Sequence, residues 1–464
     1  MRVARYGKEM GILKNRIFWL LLVGVALMLT VELLRPRIMT PAVSPHDRSA
    51  IDWQLSLPVV SGAVADLATR TAFDYPQFQG PNRNASVDGA ISTDWSARGP
   101  EFLWMHNIGA GWSGFAIVNG FAVTMEQRGE DELTTCYRLE DGEMVWWNAH
   151  KVRYTGHTVG PRSTPAISGG RVYSIGGEGR LACLNGSDGA VIWELELHSE
   201  FGTEPWRERE EVSFGRSGSP LVVDGMVIVP AGGAGLSRRS LAAFHAETGK
   251  RLWDCGRAQI SYSSPALLTV DGKSQIVYVS NEQVFGCDPM TGKELWAFDY
   301  PSDNSNDVNV SIPQSVGDSR IFLSKAYGVG ASVYEVTSGD SWEAGRVWGR
   351  SKVLRSKFNN IILHEGHAYG TSEGILECVN LENGERVWKR GRYEDTQVLR
   401  VGNQMLIQTS KGWVAGVLLS TEQENEQTGT LHVFEGTTWN APAIYGRKLL
   451  MRNSQHMACL QLPE

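Results

Sequence analysis

The chain lacks any long run of basic residues. Of its 464 residues, 44 are Lys or Arg and 51 are Asp or Glu, which gives a formal net charge of −7. We expect no basic surface that could bind a phosphate backbone, so nucleic acid is excluded as an expected partner. Cysteine is also scarce, with six residues, none of them before Cys136. The N-terminal cysteine that is acylated in a bacterial lipoprotein is therefore missing.

Charged residues are few overall, at 20%, while the chain holds 16 Trp and 51 Gly. Helical proteins need many Lys, Glu and Arg on their solvent faces, whereas glycine is favoured in tight turns and aromatic residues in strands. This composition favours a fold of many short strands joined by tight turns.

A long apolar run occurs near the N-terminus, where five basic residues precede residues 17–31, and Leu33 and Leu34 extend the run past Glu32. About 18 residues suffice to span a bilayer. A cleavable signal peptide is the alternative, but Arg35-Pro36-Arg37 follows where small residues would mark a cleavage site. The positive-inside rule puts the N-terminus in the cytoplasm. We expect a single-pass inner-membrane protein that faces the periplasm, with residues 1–34 as N-terminus and signal-anchor helix and residues 35–74 as a linker.

A short pattern recurs along the rest of the chain: a small turn residue, then Gly, then Trp four residues after that Gly. Copies cover residues 136–146, 183–193, 244–253, 287–296 and 378–388, with a looser copy ending at Trp348. A second, apolar pattern precedes each copy, as in STPAISGGRVYSI at 163–175. Together they define eight units at intervals of roughly 40 to 54 residues, the signature of a repeat architecture.

Each unit is predicted to form four short strands, because apolar residues alternate and Asp-Gly, Thr-Gly or Asn-Gly pairs separate the runs. One four-stranded sheet cannot bury both faces alone, but sheets stacked around an axis can. The eighth unit ends without its fourth strand, while residues 101–108 form a spare strand before the first unit. We therefore predict an all-β, eight-bladed propeller over residues 75–464, in which residues 101–108, the latch, complete the last blade.

The repeats resemble the PQQ-binding-like β-propeller family. Thr-Gly-Lys-x-Leu-Trp at 291–296, its variant at 248–253 and the segment YPQFQGPNRNAS at 75–86 carry the resemblance. The family is related in fold to the outer-membrane β-barrel assembly lipoprotein, whose lipid-bearing Cys this chain lacks. The resemblance implies that one Trp per blade docks on the next blade, with Phe434 in that position in the seventh unit. The matching residues are Trp104, Trp146, Trp193, Trp253, Trp296, Trp348 and Trp388.

Dehydrogenases of this superfamily carry an adjacent cysteine pair, a calcium ion held by acidic and amide side chains, and an Asp base. This chain has no adjacent cysteines. Five of its six occupy one repeat position, and equivalent positions in neighbouring blades are roughly 10 Å apart, too far for a disulfide. We expect buried core thiols, no metal site and no cofactor; pyrroloquinoline quinone is the alternative cofactor, although its site is not visible in the sequence.

Three local motifs are interpreted as structural. Gly370–Gly374 matches the G-x-S-x-G pattern of hydrolases but joins two predicted strands rather than a strand and a helix. His364 and His367 flank a turn without a third ligand nearby. Residues 303–309 alternate in the manner of a calcium loop but lack its sixth-position Gly. No catalytic residue is assigned.

The candidate ligand site is inferred from where its residues lie in the repeat. Residues just before each innermost strand should line one mouth of the central channel, and their aromatic, amide and basic groups suit a sugar, an anionic metabolite or a peptide. Arg162 and Arg216 form a candidate anion-binding pair. The predicted mouth residues are Trp112, Arg162, Arg216, Tyr262, Asn309, Lys357, Asn359, Gln397, Trp439 and Asn440.

The first functional hypothesis is a non-catalytic, membrane-anchored periplasmic propeller that binds a ligand or a protein partner in assembly. The second is a quinoprotein oxidoreductase that uses pyrroloquinoline quinone. A third is an enzyme of polysaccharide breakdown. Fold resemblance alone does not choose among them.

Overall fold

The structure is a computed structural model that describes residues 55–57, 60, 64–301, 308–422 and 427–464. The described residues form eight four-stranded antiparallel sheets, which are the predicted propeller blades. The innermost strands of several neighbouring blades contact one another, including those of blades 8 and 1. Apolar side chains alternate between the two faces of each sheet, so every core cluster lies between adjacent blades.

Blades 1 to 4 follow the chain in order. Their strands are β3 (Ala116–Val118), β4 (Phe121–Arg128), β5 (Asp131–Arg138) and β6 (Met144–Lys151); β7 (Ala166–Ser168), β8 (Arg171–Ile175), β9 (Arg180–Asn185) and β10 (Val191–Glu196); β11 (Leu221–Val223), β12 (Met226–Gly232), β13 (Arg239–His245) and β14 (Arg251–Cys255); β15 (Ala266–Val270), β16 (Lys273–Val279), β17 (Gln283–Cys287) and β18 (Glu294–Asp299). Two short helices, α1 (Leu197–Glu200) and α2 (Pro205–Glu211), join blades 2 and 3, and a 3-10 turn covers Gly235–Ser237.

Blades 5 to 7 continue in the same way, and β1 (Ser86–Val87) adds to blade 7 in parallel to its innermost strand. Their strands are β19 (Gln314–Val316), β20 (Arg320–Lys325), β21 (Gly330–Ser338) and β22 (Trp342–Arg350); β23 (Ile362–His364), β24 (His367–Ser372), β25 (Ile375–Asn380) and β26 (Arg386–Arg390); β27 (Thr396–Val401), β28 (Gln404–Thr409), β29 (Trp413–Leu418) and β30 (Gln427–His432).

Blade 8 draws on both ends of the propeller and confirms the predicted latch. It contains β31 (Ala443–Tyr445), β32 (Lys448–Arg452) and β33 (His456–Gln461), and its outermost strand is β2 (Glu101–Asn107). The β2 and β33 strands pair antiparallel, with Trp104 opposite Cys459 and Met105 opposite Ala458. The ring is thus closed by hydrogen bonds between strands more than 340 residues apart.

The outer-strand tryptophans bind the next blade through one recurring contact. Six of the seven donate their indole N–H to a backbone carbonyl of the following blade at 2.9–3.2 Å: Trp104, Trp146, Trp193, Trp253, Trp348 and Trp388. Trp296 differs, since it donates to the Oε1 of Gln275 in its own blade at 2.7 Å. Gly286 lies opposite Trp296, and a side chain there would occupy the space of the indole ring.

The seventh blade does not place Phe434 in the tryptophan position. The strand register puts Gly429 there, opposite Gly416 and next to the bulge that accompanies the tryptophan in other blades. The ring of Trp95, from the segment before the latch, lies over Gly429. Phe434 follows β30 and is buried in the core cluster shared with blade 8. The prediction was wrong because a tryptophan from elsewhere in the sequence covers the position.

The turn glycines face these indole rings. Gly189 has φ of 74°, and a Cβ on it would lie 2.5 Å from Trp146. Gly225 has the same φ of 74° but no atom within 4 Å of such a Cβ. A side chain at Gly225 would thus add backbone strain alone, whereas a side chain at Gly189 would also clash with the neighbouring blade.

We therefore expect Gly189→Ala to destabilise the protein by about 3 kcal/mol and Gly225→Ala by about 1 kcal/mol, because the first adds a clash to the strain that both share. Urea unfolding followed by tryptophan fluorescence measures the two changes. Equal losses for the two variants would contradict the docking role of the Gly189 turn.

The region that packs on the propeller begins before residue 75, where the sequence analysis placed its start. Ala65 and Leu67 are buried in the cluster between blades 1 and 2. The predicted membrane anchor at residues 17–34 and the rest of residues 1–54 lie outside the described residues. Within the described part of the chain, no helix has the length and apolarity to cross a membrane.

The six cysteines are buried and free.

The Gly370–Gly374 motif is confirmed as a hairpin, with Ser372 paired to Ile375 across the turn between β24 and β25. His364 and His367 face each other at the ends of the β23–β24 hairpin. Residues 303–307 of the calcium-like motif lie outside the described residues.

Candidate functional site

The residues that begin the innermost strands bind the neighbouring blades. The backbone N–H of Gly114 in blade 1 donates to the hydroxyl of Thr164 in blade 2 at 2.9 Å. The N–H of Thr164 donates to the hydroxyl of Ser219 in blade 3, and the N–H of Ser219 to that of Ser264 in blade 4, each at 2.9 Å. The Ser263 hydroxyl then donates to the carbonyl of Ser311 in blade 5 at 2.9 Å. Hydroxyl side chains just before the innermost strands, at one repeat position in Thr164, Ser219 and Ser264 and one residue earlier in Ser263, therefore bind each of these blades to its neighbour.

Amide side chains complete the circle. The Oδ1 of Asn360 in blade 6 accepts the N–H of Ile312 in blade 5 at 3.1 Å. Gln397 in blade 7 donates from Nε2 to the carbonyls of Phe358 and Trp439, in blades 6 and 8, at 3.1 Å each. Asn440 in blade 8 donates from Nδ2 to the carbonyl of Ser113 in blade 1 at 2.8 Å. These bonds, with those of the hydroxyl side chains, form a closed belt around the channel mouth.

The belt accounts for Gln397 and Asn440, two of the four predicted amide ligands. All four, including Asn309 and Asn359, are buried. Asn309 donates to the carbonyl of Ser280 at 2.8 Å, and Asn359 donates to the Thr371 hydroxyl of its own blade at 3.3 Å. Buried amide groups are usually hydrogen-bonded. At Gln397 and Asn440, the amide N–H groups are used to bind neighbouring blades.

The two predicted anion-binding arginines have different partners. The guanidinium of Arg216 is buried and lies 2.7 Å from the carboxylate of Glu208 on α2. It also donates to the carbonyls of Pro230 and Ala231. Burial alone would raise the pKa of Glu208, but Arg216 and the adjacent His198 hold it below its ordinary value. Because Glu208 already neutralises its charge, Arg216 is not available as half of an anion-binding pair.

Arg162 is half-buried and bonds to its own loop. Its guanidinium donates to the carbonyls of Gly160 and Thr158 and lies over the ring of Tyr154 at 4.7 Å. Burial lowers its pKa. The hydroxyl of Tyr262, a further predicted mouth residue, accepts the N–H of Phe214 at 3.1 Å. These contacts fix the loops around the mouth.

A buried carboxylate lies close to this cluster. Glu132 on β5 accepts the N–H of Gly177 in blade 2 at 2.9 Å. Burial raises the pKa of Glu132 from its ordinary value near 4.5 to about 7, although the hydrogen bond from Gly177 acts in the opposite direction. The folded protein thus holds this proton more tightly than the unfolded chain does. The resulting stabilisation is complete below pH 4.5 and is lost as the pH rises through 7.

We expect Glu132→Gln to remove this pH dependence, which amounts to about 3 kcal/mol between pH 4.5 and pH 8. The variant should be more stable than the parent at pH 8 and close to it at pH 4.5. Urea unfolding at the two pH values measures the difference. Glu140→Gln, at an exposed carboxylate that follows the same strand, is the control. A slope in Glu132→Gln as steep as that of the parent would contradict the assignment.

Aromatic side chains that precede blades 6, 8 and 1 lie together at the mouth, and Trp439 among them is exposed. The ring of Trp439 lies 5.1 Å from that of Trp112 and 5.3 Å from that of Phe358. Lys357, the last predicted mouth residue, pairs with Asp395 at 3.2 Å. The structure thus brings together Trp112 and Trp439, the two tryptophans predicted for the mouth.

A groove of about 670 Å³ opens beside Trp439, and we call it the rim groove. The loop before β27, the β28–β29 turn and the segment after β30 form its walls, with Glu394, Asp395, Lys411, Trp413, His432 and Glu435 among the lining residues. Apart from Trp439, these residues were missed by the sequence reasoning. A signal existed for Trp413, since this Trp lies outside the repeat position that the docking tryptophans share.

A quinone–calcium site of the dehydrogenase type would use an adjacent cysteine pair together with acidic and amide side chains. The six cysteines are buried, each in a strand of the blades, and no two of them are adjacent in the sequence. Among the described residues, no group of three His, Cys, Asp or Glu side chains could hold a metal ion. The adjacent cysteine pair is therefore the part of that site that this chain lacks.

Comparison with known proteins extends these observations. The sequence profile of the family described as outer membrane protein assembly factor BamB matches residues 129–390, more than half of the chain. The chain belongs to this family. No curated protein matches it by sequence.

Solved structures share the fold at low sequence identity. BamB from Moraxella catarrhalis is 14% identical, with a TM-score of 0.57 over 78% of this chain and 100% of that one. A europium-containing methanol dehydrogenase is 12% identical, with a TM-score of 0.64 over 82% and 90% of the two chains. The quinohemoprotein alcohol dehydrogenase from Comamonas testosteroni is 13% identical, with a TM-score of 0.61 over 86% and 82%. At these identities the similarity shows the fold alone.

Proposed function

We propose that this BamB-family propeller is a non-catalytic binding protein, anchored in the inner membrane through residues 17–34 and facing the periplasm. Its partner would be a periplasmic protein or a ligand bound during assembly. The proposal rests on the division of roles at the channel mouth. Buried polar side chains there bind neighbouring blades, while exposed aromatic residues lie at the rim. Exposed aromatic groups on a rigid scaffold are a common basis for recognition.

A second observation supports binding at the outside of the ring rather than chemistry within the channel. Residues 75–88, the crossing segment, contact the inner strands of blades 1, 2, 3 and 7. Blades 3 and 7 lie opposite each other in an eight-bladed ring, so the segment crosses the channel. Arg83 in this segment is buried and donates to the carbonyls of Ser219 and Pro220 at 3.0 and 2.9 Å.

The description of the family as an outer membrane protein assembly factor supports an assembly role. The shared fold with two alcohol dehydrogenases keeps a quinoprotein oxidoreductase as the second candidate. The full chain, purified and mixed with pyrroloquinoline quinone and Ca²⁺, separates the two. We expect neither a bound-quinone absorbance nor dye-linked alcohol oxidation, and the appearance of both would replace the binding proposal.

The membrane topology is tested in spheroplasts that carry the full chain. A protease added from outside should degrade the propeller, whereas a cytoplasmic marker protein should survive. Protection of the propeller until the membrane is dissolved would contradict the proposed orientation.

A further inference from the structure

The rim groove has the size and position of a ligand site. Its volume of about 670 Å³ falls within the range of roughly 300–1,000 Å³ typical of small-molecule pockets. Its walls come from the loop before β27, the β28–β29 turn and the segment after β30, which leads into blade 8. Because these loops extend from paired strands, the groove is formed by fixed backbone.

Two indole rings flank the groove in fixed orientations. Trp439 is 37% exposed, and its backbone carbonyl accepts the Gln397 amide at 3.1 Å while its ring lies against Trp112 and Phe358. Trp413 is 43% exposed, and its ring lies 4.8 Å from that of His432. Both rings therefore offer apolar surface at the groove.

The charges of the groove are largely neutralised. Lys411 pairs with Glu394 at 2.7 Å, and Lys357 pairs with Asp395 at 3.2 Å. A strongly cationic or anionic ligand would meet a charge of its own sign in each pair. A neutral ligand with many hydroxyl groups suits this arrangement, because the ammonium groups donate hydrogen bonds and the carboxylates accept them.

From this chemistry we propose that the rim groove binds a neutral oligosaccharide. The C–H faces of pyranose rings carry positive partial charge and would stack on the electron-rich indole faces of Trp413 and Trp439. The ring hydroxyls would bond to Glu394, Lys411 and Glu435. The proposal rests on the proposed function as a binding protein and adds the ligand class.

Titration of the full chain with cellotetraose, maltotetraose and chitotetraose, in a detergent without a sugar headgroup, tests the proposal. We expect at least one sugar to change the tryptophan fluorescence saturably, with calorimetry giving the same Kd. Trp413→Ala should weaken this binding about tenfold or more. Trp206→Ala is the matched control, since Trp206 on α2 is also 37% exposed but lies away from the groove, and it should bind as the parent does.

Trp439 packs on two other aromatic residues, so its replacement by Ala could also destabilise the protein. A loss of sugar binding in Trp439→Ala therefore counts only if the variant melts at the same temperature as the parent. If it does not, the result for Trp413→Ala decides. The absence of binding by all three sugars up to about 10 mM would overturn the proposal. Binding that persists unchanged in Trp413→Ala would also overturn it, since the sugar would then occupy another surface.

The same samples separate this proposal from the proposed function. In a further variant, a photo-crosslinking residue replaces Trp413. If it captures a defined protein while no sugar binds, the sugar site is overturned and the proposed binding function remains. Shortening of the sugars during incubation, seen by chromatography, would overturn the non-catalytic function itself. Intact sugars with saturable binding support both.

Discussion

Deletion of residues 75–108 should abolish the cooperative unfolding of the propeller. The deletion removes β2, so β33 loses its outer partner and blade 8 is left with three strands. It also removes Trp104, whose indole N–H bonds to the carbonyl of Leu139 in blade 1 at 3.0 Å. The crossing segment and its contacts with blades 1, 2, 3 and 7 are lost as well. A propeller opened at one blade exposes apolar surface on both sides of the break.

Differential scanning calorimetry and circular dichroism of the full chain and the deletion variant measure the effect. Trp104→Ala is the matched milder change, because it keeps the latch strand and removes only the docking side chain. We expect that variant to lose about 3–5 kcal/mol of stability while still melting in one transition. A sharp, unshifted melt of the deletion variant would contradict closure through the latch.

Replacement of Arg216 by Ala should lower the free energy of unfolding by about 3–5 kcal/mol, since it leaves the Glu208 carboxylate buried without its cationic partner. The Glu208 side chain would retain the N–H of Gly233 at 2.7 Å and His198 at 3.5 Å. These groups offset only part of the loss. Urea unfolding at pH 7 measures the change.

Arg162→Ala is the control for this prediction. Its guanidinium bonds to the neutral oxygens of Thr158 and Gly160, so a loss of about 1 kcal/mol is expected. The double variant Glu208→Leu, Arg216→Met should recover most of the stability, because it removes both buried charges together. Equal losses for Arg216→Ala and Arg162→Ala would mean that the buried ion pair has no special role.

The fold could be predicted because its signals are local and repeated. The Asp188-Gly189 turn and its copies predict a hairpin wherever they occur, since the turn requires positive φ at Gly. Trp193 and its equivalents then follow at a constant distance from the turn. The unmatched strand around Trp104 indicated how the ring closes. These inferences need only a few consecutive residues at a time.

The candidate site was harder to predict because burial is decided between blades. Asn440 and Arg216 have the chemistry of ligand-binding residues, but Asn440 bonds to blade 1 and Arg216 to Glu208 on α2. Trp413 lies outside the repeat position of the docking tryptophans, and nothing near it in the sequence indicates that it lines the same groove as Trp439. The same applies to Trp95, which takes the place expected for Phe434.

Turn chemistry and apolar alternation act over a few residues, so the blade number, the strand order within a blade and the latch could be inferred from the sequence. The partners of the polar side chains depend on the tertiary structure. Hydrogen-bond partners such as Gln397 and Phe358 lie in different blades, and their proximity follows from closure of the ring. At the mouth of this propeller, closure engages the amide N–H groups of Gln397 and Asn440, while the side chain of Trp439 stays exposed.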